Sequence, residues 1–403
     1  MAATGSPATV IQDARRPRSA DGHAAVLAIG TANPSHFLLQ DEFADWYFRV
    51  TKSDHLAMLK AKMKRICEKS GIKKRHGHLI TEEMLAAHPE ILDRALPSLD
   101  TRMRIAAGSL PDVAAAAAAR AIAEWGRPAA DITHLVVSTT TGGAAAPGLD
   151  LHLAVLLGLR QDVQRTLLYL YGCTAGTSAL RVAKDLAENT RGARVLVVSA
   201  ETGHTFVRSP DEAQFEELVA AALFADGAGS AVVGAGPVSP AERPIFHMVS
   251  ATQTTLPATA RVVELKLGEL GIEYRLSAAL PAMVCGGIER CLSEALAPHL
   301  HGLAGAWNDL FWAAHPGSRA ILDSYEAALG LQPEKLAASR RVLSEYGNML
   351  GATVFFVLEE MWRRRGANEE EREKCAWGVM LGLGPGITVE TMLLHAAGSQ
   401  DED

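Results

Sequence analysis

Residues 172–176 read Gly-Cys-Thr-Ala-Gly, and residues 347–351, 175 positions later, read Gly-Asn-Met-Leu-Gly. Apolar helix-forming residues follow in both places, Ala179-Leu180 in one and Val354-Phe355-Phe356-Val357-Leu358 in the other. The same shift lays "HLVVSTTTG" (134–142) on "DLFWAAHPG" (309–317), matching Leu135 to Leu310 and Gly142 to Gly317. Short apolar strands match by chance, but two matches at one offset, each keeping its glycines, define a repeat. A chain that repeats a strand–loop unit and a strand–turn–helix unit is expected to fold as two similar α/β halves. Equivalent turns of the two halves then face one cleft.

The first of these turns has chemistry in it. The run Leu167–Tyr171 reads as a buried strand, Gly172-Cys173 as a sharp turn, and Thr174 to Ala179 are small. Leu180, Val182, Ala183, Leu186 and Ala187 then fall at helical spacing. A thiol so placed meets the positive end of a helix, where its thiolate is favoured. From this window alone, a buried structural cysteine is an equal reading. The repeat adds two residues. Asn348 is the equivalent of Cys173, and His315 follows the strand equivalent to 135–139. A thiolate accepts an acyl group. An imidazole pairs with the thiolate and lowers the thiol pKa. An amide N–H steadies a developing oxyanion or enolate. Taken singly, His315 reads as a loop histidine and Asn348 as a helix N-cap. Together, on a repeat, the three read as a site for acyl-thioester chemistry.

The bulk composition narrows the setting. The chain has 403 residues, 48% hydrophobic and 21% charged, with a formal net charge of -7. This suits one large or two fused soluble domains and gives no general attraction to nucleic acid. Five irregularly spaced cysteines (67, 173, 285, 291, 375) form no CxxC pair, so free thiols in a reducing, cytoplasmic setting and no metal site are expected. No apolar run reads as a membrane span. Residues 1–22 lack a signal-peptide core and read as a flexible tail, as do 396–403. Residues 23–240 form the half with the cysteine, and 241–395 the half with the histidine and asparagine. Lys62, Arg65 and Lys69 lie on one face of an amphipathic helix and, by themselves, read as a solvated basic face. Glu369 to Lys374 read as a solvated loop.

Longer stretches carry a resemblance. "VLAIGTANP", "FRVTKSDH" (48–55), "ITEEML" (80–85) and "PSLD" (97–100) open it. "AIAEWGRPAADITHLVVSTT" (121–140) and "AKDLAENTRGARVLVVSAE" (183–201) continue it. "WNDLFWAAHPGS" (307–318), "RVLSEYGNMLGAT" (341–353) and "GLGPGITVETMLL" (382–394) complete it. From about Ala24 to Leu394 the chain resembles the plant type III polyketide synthases, the chalcone synthase superfamily. The resemblance implies a thiolase fold, two pseudo-symmetric halves in a layered αβαβα core. It implies a homodimer that uses malonyl-CoA and a CoA-linked starter, with no cofactor. Cys173 would anchor the acyl chain; His315 and Asn348 would drive malonyl decarboxylation and hold the enolate. Phe224 would stand as gatekeeper between CoA tunnel and cavity, and is also a plausible core aromatic by composition. Gly271 and the loop Gly382, Leu383, Gly384, Pro385, Gly386 would line the cavity. Lys62, Arg65 and Lys69 would contact the CoA phosphates.

Departures from the family concern the substrate. Gly203 stands where many members carry threonine, with Phe206 shortly after. Ala146 replaces methionine in the loop shared across the dimer, Leu280 stands for the second family phenylalanine, and Leu350 replaces a serine. The family cavity threonine falls on Thr140 or Thr141. Leu350 offers no hydroxyl to the threonine–glutamate network near Glu201. A reshaped, more apolar cavity favours a fatty acyl starter and alkylresorcinol- or alkylpyrone-type products. A phenylpropanoyl starter giving chalcone-, curcuminoid- or benzalacetone-type products is the alternative. Two further classes weigh less. A papain-like hydrolase would bring disulfides and a Cys-Trp context. A catalytically silent thiolase-fold partner would not need all of Cys173, His315 and Asn348.

Overall fold

The computed structural model describes residues 19–77, 81–142, 145–236, 242–299, 306–367 and 375–397. The tails expected at 1–22 and 396–403 lie largely outside these residues, and the charged loop 369–374 lies wholly outside them.

The described residues form thirteen strands: β1 (Ala24–Ala32), β2 (Phe37–Leu39), β3 (Lys74–His76), β4 (His134–Thr139), β5 (Gln164–Tyr169), β6 (Arg194–Glu201), β7 (Gly227–Gly234), β8 (Phe246–Thr255), β9 (Val263–Gly268), β10 (Gly271–Leu276), β11 (Phe311–Ala314), β12 (Trp377–Gly384) and β13 (Thr388–Ala396). Nine of them make one sheet in the order β11-β12-β13-β8-β1-β7-β6-β4-β5. The duplication is visible in its pairing senses. Outward from β1, β7 is antiparallel, β6 antiparallel to β7, and β4 parallel to β6. Outward from β8, β13 is antiparallel, β12 antiparallel to β13, and β11 parallel to β12. The halves meet where β1 and β8 pair antiparallel, Ala24 opposite Met248 and Val26 opposite Phe246. β5 is an extra edge strand of the first half, parallel to β4.

Both faces of the sheet are covered, which is why its strands read as near-continuous apolar runs. Along β6, Val195 and Val197 point to one core cluster, while Leu196, Val198 and Ala200 point to another. The inner cluster holds Ala179, Leu180, Ala183 and Ala187 of the Ala175–Asn189 helix and Val354 to Leu358 of the Thr353–Ala367 helix. It also takes Met380, Met392 and Leu394 from the second half. Helix Leu99–Trp125 covers the outside of the first half through Ala106, Ala114, Ala117, Ala118 and Ala121. Helices Leu280–Leu296 and Arg319–Leu329 cover the outside of the second. The layers are therefore α-β-α-β-α, as expected.

The Leu99–Trp125 helix is long and apolar enough to cross a membrane by length and composition. The sequence reading found no such run. The run of alanines at 114–119 supplies the hydropathy, and the helix spends it on close packing against β1. A methyl added to Gly30 would lie 2.3 Å from Ala117 O.

The repeat's second glycines meet each other. A methyl on Gly176 would fall 2.1 Å from Gly351 O, and one on Gly351 would fall 2.8 Å from Gly176 N. The two inner helices start backbone against backbone, and only glycine permits that approach.

Candidate active site

The turn bearing Cys173 is built much as its sequence suggests. β5 ends at Tyr169, two residues earlier than the apolar run, because Leu170 (φ 63°) and Gly172 (φ 57°) leave extended backbone. A 3₁₀ turn, Gly172–Thr174, leads into the Ala175–Asn189 helix. Gly172 N–H donates to Thr140 Oγ1 at 3.0 Å. A side chain at Gly172 would collide with Leu265 Cδ1 (2.8 Å) and Pro385 Cγ (2.9 Å). These contacts aim Cys173 at the junction of the halves.

Asn348 meets it there. Its Nδ2 lies 3.8 Å from Cys173 Sγ and donates to Gly317 O at 2.9 Å. Its Oδ1 accepts Leu350 N–H at 2.8 Å. The cap-like bond and the donor role are thus compatible, and together they fix which way the amide points. Gly317 closes the His315-Pro316-Gly317 loop, so the same amide ties that loop to the thiol. His315 follows β11, its N–H donating to Leu381 O at 2.7 Å. Its ring is fully buried, and neither Nδ1 nor Nε2 has a hydrogen-bond partner. A buried polar atom left unpaired costs about 1–3 kcal/mol. A ligand that pairs with the ring removes that cost.

The electrostatics differ from the expected thiolate–imidazolium pair. Burial pushes the Cys173 thiol up to about 12, opposed by the Asn348 amide and reinforced by Glu201. Burial alone holds the His315 ring down at about 3. Burial disfavours the charged form of both groups, the opposite of a resting thiolate–imidazolium pair. Glu201 is buried at the end of β6 and takes Thr140 N–H at 2.8 Å, Thr141 N–H at 3.1 Å and the Thr141 hydroxyl at 2.8 Å. Burial still raises its carboxyl to about 8. The structure separates the two threonines: Thr141 Oγ1 donates to the Glu201 carboxylate, and Thr140 Oγ1 accepts from the turn that bears Cys173.

Aromatic rings crowd the thiol. Phe206, Phe224 and Leu350 form a buried cluster with Ala220 and Ile272, against which Cys173, Leu265, Leu267 and Tyr274 pack. The Phe206 and Phe224 centroids are 4.7 Å apart, and Tyr274 meets Phe224 edge-on at 5.2 Å. Phe224 pairs by its backbone with Asn348. Its carbonyl accepts Arg75 Nη1 at 2.7 Å, and that guanidinium stacks on Phe43 at 4.0 Å. Tyr274 and Arg75 were not singled out from the sequence. The signal for Tyr274 was the alternation of Ile272, Tyr274 and Leu276 with Glu273 and Arg275.

Other expected cavity residues sit differently. Beyond Phe206, the ring that meets Phe224 is Tyr274 rather than a residue at position 280. Leu280 starts the Leu280–Leu296 helix and packs in the outer cluster of the second half. Gly203 opens no channel: its N–H donates to Asp226 Oδ1 at 2.5 Å, and an added Cβ would meet that oxygen at 3.1 Å. Ala146 is exposed on this chain, away from the cluster. Gly271 (φ 98°) turns the β9–β10 ribbon against Arg102 and Thr205 O. Gly382 and Gly384 let β12 approach Thr177 and Thr174, so this stretch braces the turn that bears Cys173, and Leu383 is buried in the outer cluster.

A cleft of about 1580 Å³ opens beside the cluster. Lys62, Arg65 and Lys69 line it together, from the exposed face of helix Ala57–Lys69, whose other face buries Leu59, Met63 and Cys67. Leu265, Tyr274, Pro385 and Gly386 line its inner end. Leu265 and Pro385 are the atoms against Gly172, and Tyr274 is the ring against Phe224. One layer of side chains therefore separates the cleft from the thiol.

Comparison with known proteins agrees with this arrangement. Residues 11–237 match the N-terminal domain of chalcone and stilbene synthases, and residues 247–398 match the C-terminal domain. The chain is 54% identical over 393 residues to the bisdemethoxycurcumin synthase of Oryza sativa subsp. japonica, covering 97% of each chain. The duplicated sheet, the converging cysteine and asparagine and these matches have one conclusion: the chain belongs to the chalcone and stilbene synthase family and is a malonyl-CoA-dependent type III polyketide synthase of the plant kind.

Proposed function

We propose that the enzyme loads an aromatic phenylpropanoyl starter from CoA and extends it with malonyl-CoA toward a curcuminoid-type product. The observation that carries this reading is the Phe206–Phe224–Tyr274 ring cluster against Cys173. Flat rings pack well against edge-on and tilted rings. The slot at Gly203, which a long acyl chain would need, is occupied by the Asp226 carboxylate. The likeness to a curcuminoid synthase points the same way.

The residues would act as follows. Sγ of Cys173 attacks the starter thioester carbonyl, its proton passes to His315, and CoA thiolate leaves. Malonyl-CoA then occupies the vacated cleft. Its carboxylate leaves as CO₂, and the electron pair stays as the enolate of acetyl-CoA, held by the Asn348 amide and the His315 ring. The enolate carbon attacks the acyl carbonyl on Sγ, releasing the thiol and a chain two carbons longer on CoA. Loss of CO₂ drives the condensation, so no cofactor enters the proposal.

A panel of starters tests the choice. With labelled malonyl-CoA, kcat/KM for p-coumaroyl- or feruloyl-CoA is expected to exceed that of every saturated acyl-CoA from six to eighteen carbons, with little dependence on chain length. A steady rise with length, as each buried methylene contributes up to about 0.8 kcal/mol, would return the choice to a fatty acyl starter.

We also propose a cytoplasmic homodimer. Five free thiols suit a reducing compartment. β5 is an open sheet edge, and Val155 (72% exposed), Leu156, Tyr171 and Ala146 are exposed in the same region of the chain. A second copy covering them removes both an unpaired edge and an apolar patch. Light scattering should give twice the 42.9 kDa chain mass, and a monomer at micromolar concentration would refute the dimer.

A further inference from the structure

The aromatic rings exposed among the described residues include Phe37, Tyr171 and Trp362, which lie outside the cleft, and Phe215, which lines it. Phe215 is 42% exposed although its own helix, Phe215–Leu223, packs Leu218, Ala221 and Ala222 into a core cluster. Lys62 Nζ stands 5.2 Å from the Phe215 ring centroid. One turn and two turns further along the Lys62 helix come Arg65 and Lys69, both in the same cleft. An open ring beside a row of cations suits a ligand with a flat aromatic end and phosphates attached to it. The Phe215–Leu223 helix also runs directly into Phe224. Nine residues at 1.5 Å each set the backbones of Phe215 and Phe224 about 13 Å apart along the helix, Phe215 at the cleft and Phe224 in the cluster against Cys173. A nucleotide on a flexible arm, with its reactive end at the far ring, matches that layout.

We propose that Phe215 is the stacking platform for the adenine ring of the CoA thioesters, with Lys62 bridging ring and phosphate. The proposal rests on the reading that this cleft takes CoA. Stacking on the open face of Phe215 removes exposed apolar surface, and Lys62 already sits where its charge serves a phosphate on the same nucleotide. Arg65 and Lys69 then take the remaining phosphate charge.

Adenosine 3′,5′-bisphosphate, the nucleotide end of CoA without its arm, is the probe. By calorimetry, Phe215→Ala should weaken its binding about ten-fold, since base stacking is worth about 1–3 kcal/mol, and Phe215→Trp should restore it. Lys62→Ala should weaken it too. The ratio of kcat/KM for malonyl-CoA to that for malonyl-N-acetylcysteamine should fall by the same factor in Phe215→Ala. Undiminished binding in Phe215→Ala, with loss in Lys62→Ala, overturns the platform and leaves the CoA reading standing. Equal losses on both malonyl thioesters make Phe215 a wall of the cleft and also overturn it. If neither substitution matters and the wild type shows no preference for malonyl-CoA over the nucleotide-free thioester, the CoA reading of the cleft falls as well.

Discussion

Cys173→Ala is expected to abolish chain extension, by about 10⁴- to 10⁶-fold, while measurable release of CO₂ from malonyl-CoA persists. The other four thiols are placed where they cannot substitute. Cys67 is buried under the Ala57–Lys69 helix, Cys285 and Cys291 lie on the outer Leu280–Leu296 helix, and Cys375 is buried in the inner cluster just before β12. Decarboxylation should survive because the contact of the Asn348 amide with Sγ, 3.8 Å long, is its weakest. Its two firm bonds go to the Leu350 N–H and the Gly317 carbonyl, both backbone groups. The check is single-turnover extension of a labelled starter beside CO₂ release from labelled malonyl-CoA. An alanine variant that still lengthens a starter would end the assignment of Cys173.

Asn348→Asp separates the cap from the donor. Aspartate keeps an oxygen for the Leu350 N–H and caps a helix as well as asparagine does, so the fold should hold, with a thermal midpoint lowered by loss of the bond to Gly317 O. The other oxygen replaces Nδ2. It would face the Gly317 carbonyl and the developing enolate, negative against negative. Decarboxylation should fall about 100- to 1,000-fold, the usual loss for one such donor. CO₂ release and circular dichroism on the same preparation decide it. Full rate in a folded Asp variant would leave Asn348 with its structural bond alone.

The duplicated architecture was legible because the repeat's glycines and apolar runs follow from backbone geometry, which sequence records locally. Cys173 at a strand–turn–helix junction was legible for the same reason. The cavity walls were not. Gly203 reads as missing volume in one dimension, but Asp226, twenty-three positions along, folds back to bond its N–H. An absent side chain makes space only where nothing else arrives. Leu280 stands where the resemblance puts a second phenylalanine, whereas the ring that meets Phe224 comes from β10, six residues earlier in a ribbon whose residues alternate. The charge state of the site was also hidden. A helix N-terminus favours a thiolate, but here desolvation outweighs it, and the depth of burial is set by five layers rather than by neighbours in sequence.

The backbone contact between Gly176 and Gly351 has a bearing on how such an enzyme can diversify. Cys173 precedes one of these glycines by three residues, and Asn348 precedes the other by three. The spacing of thiol and amide is therefore gauged by a main-chain contact, Gly176 against Gly351, that leaves no room for a side chain at either glycine. The rings of Phe206, Phe224 and Tyr274 and the lining of the cleft belong to other segments. Side chains of those rings and of the cleft can therefore change within a lineage while the spacing of thiol and amide stays set by the backbone.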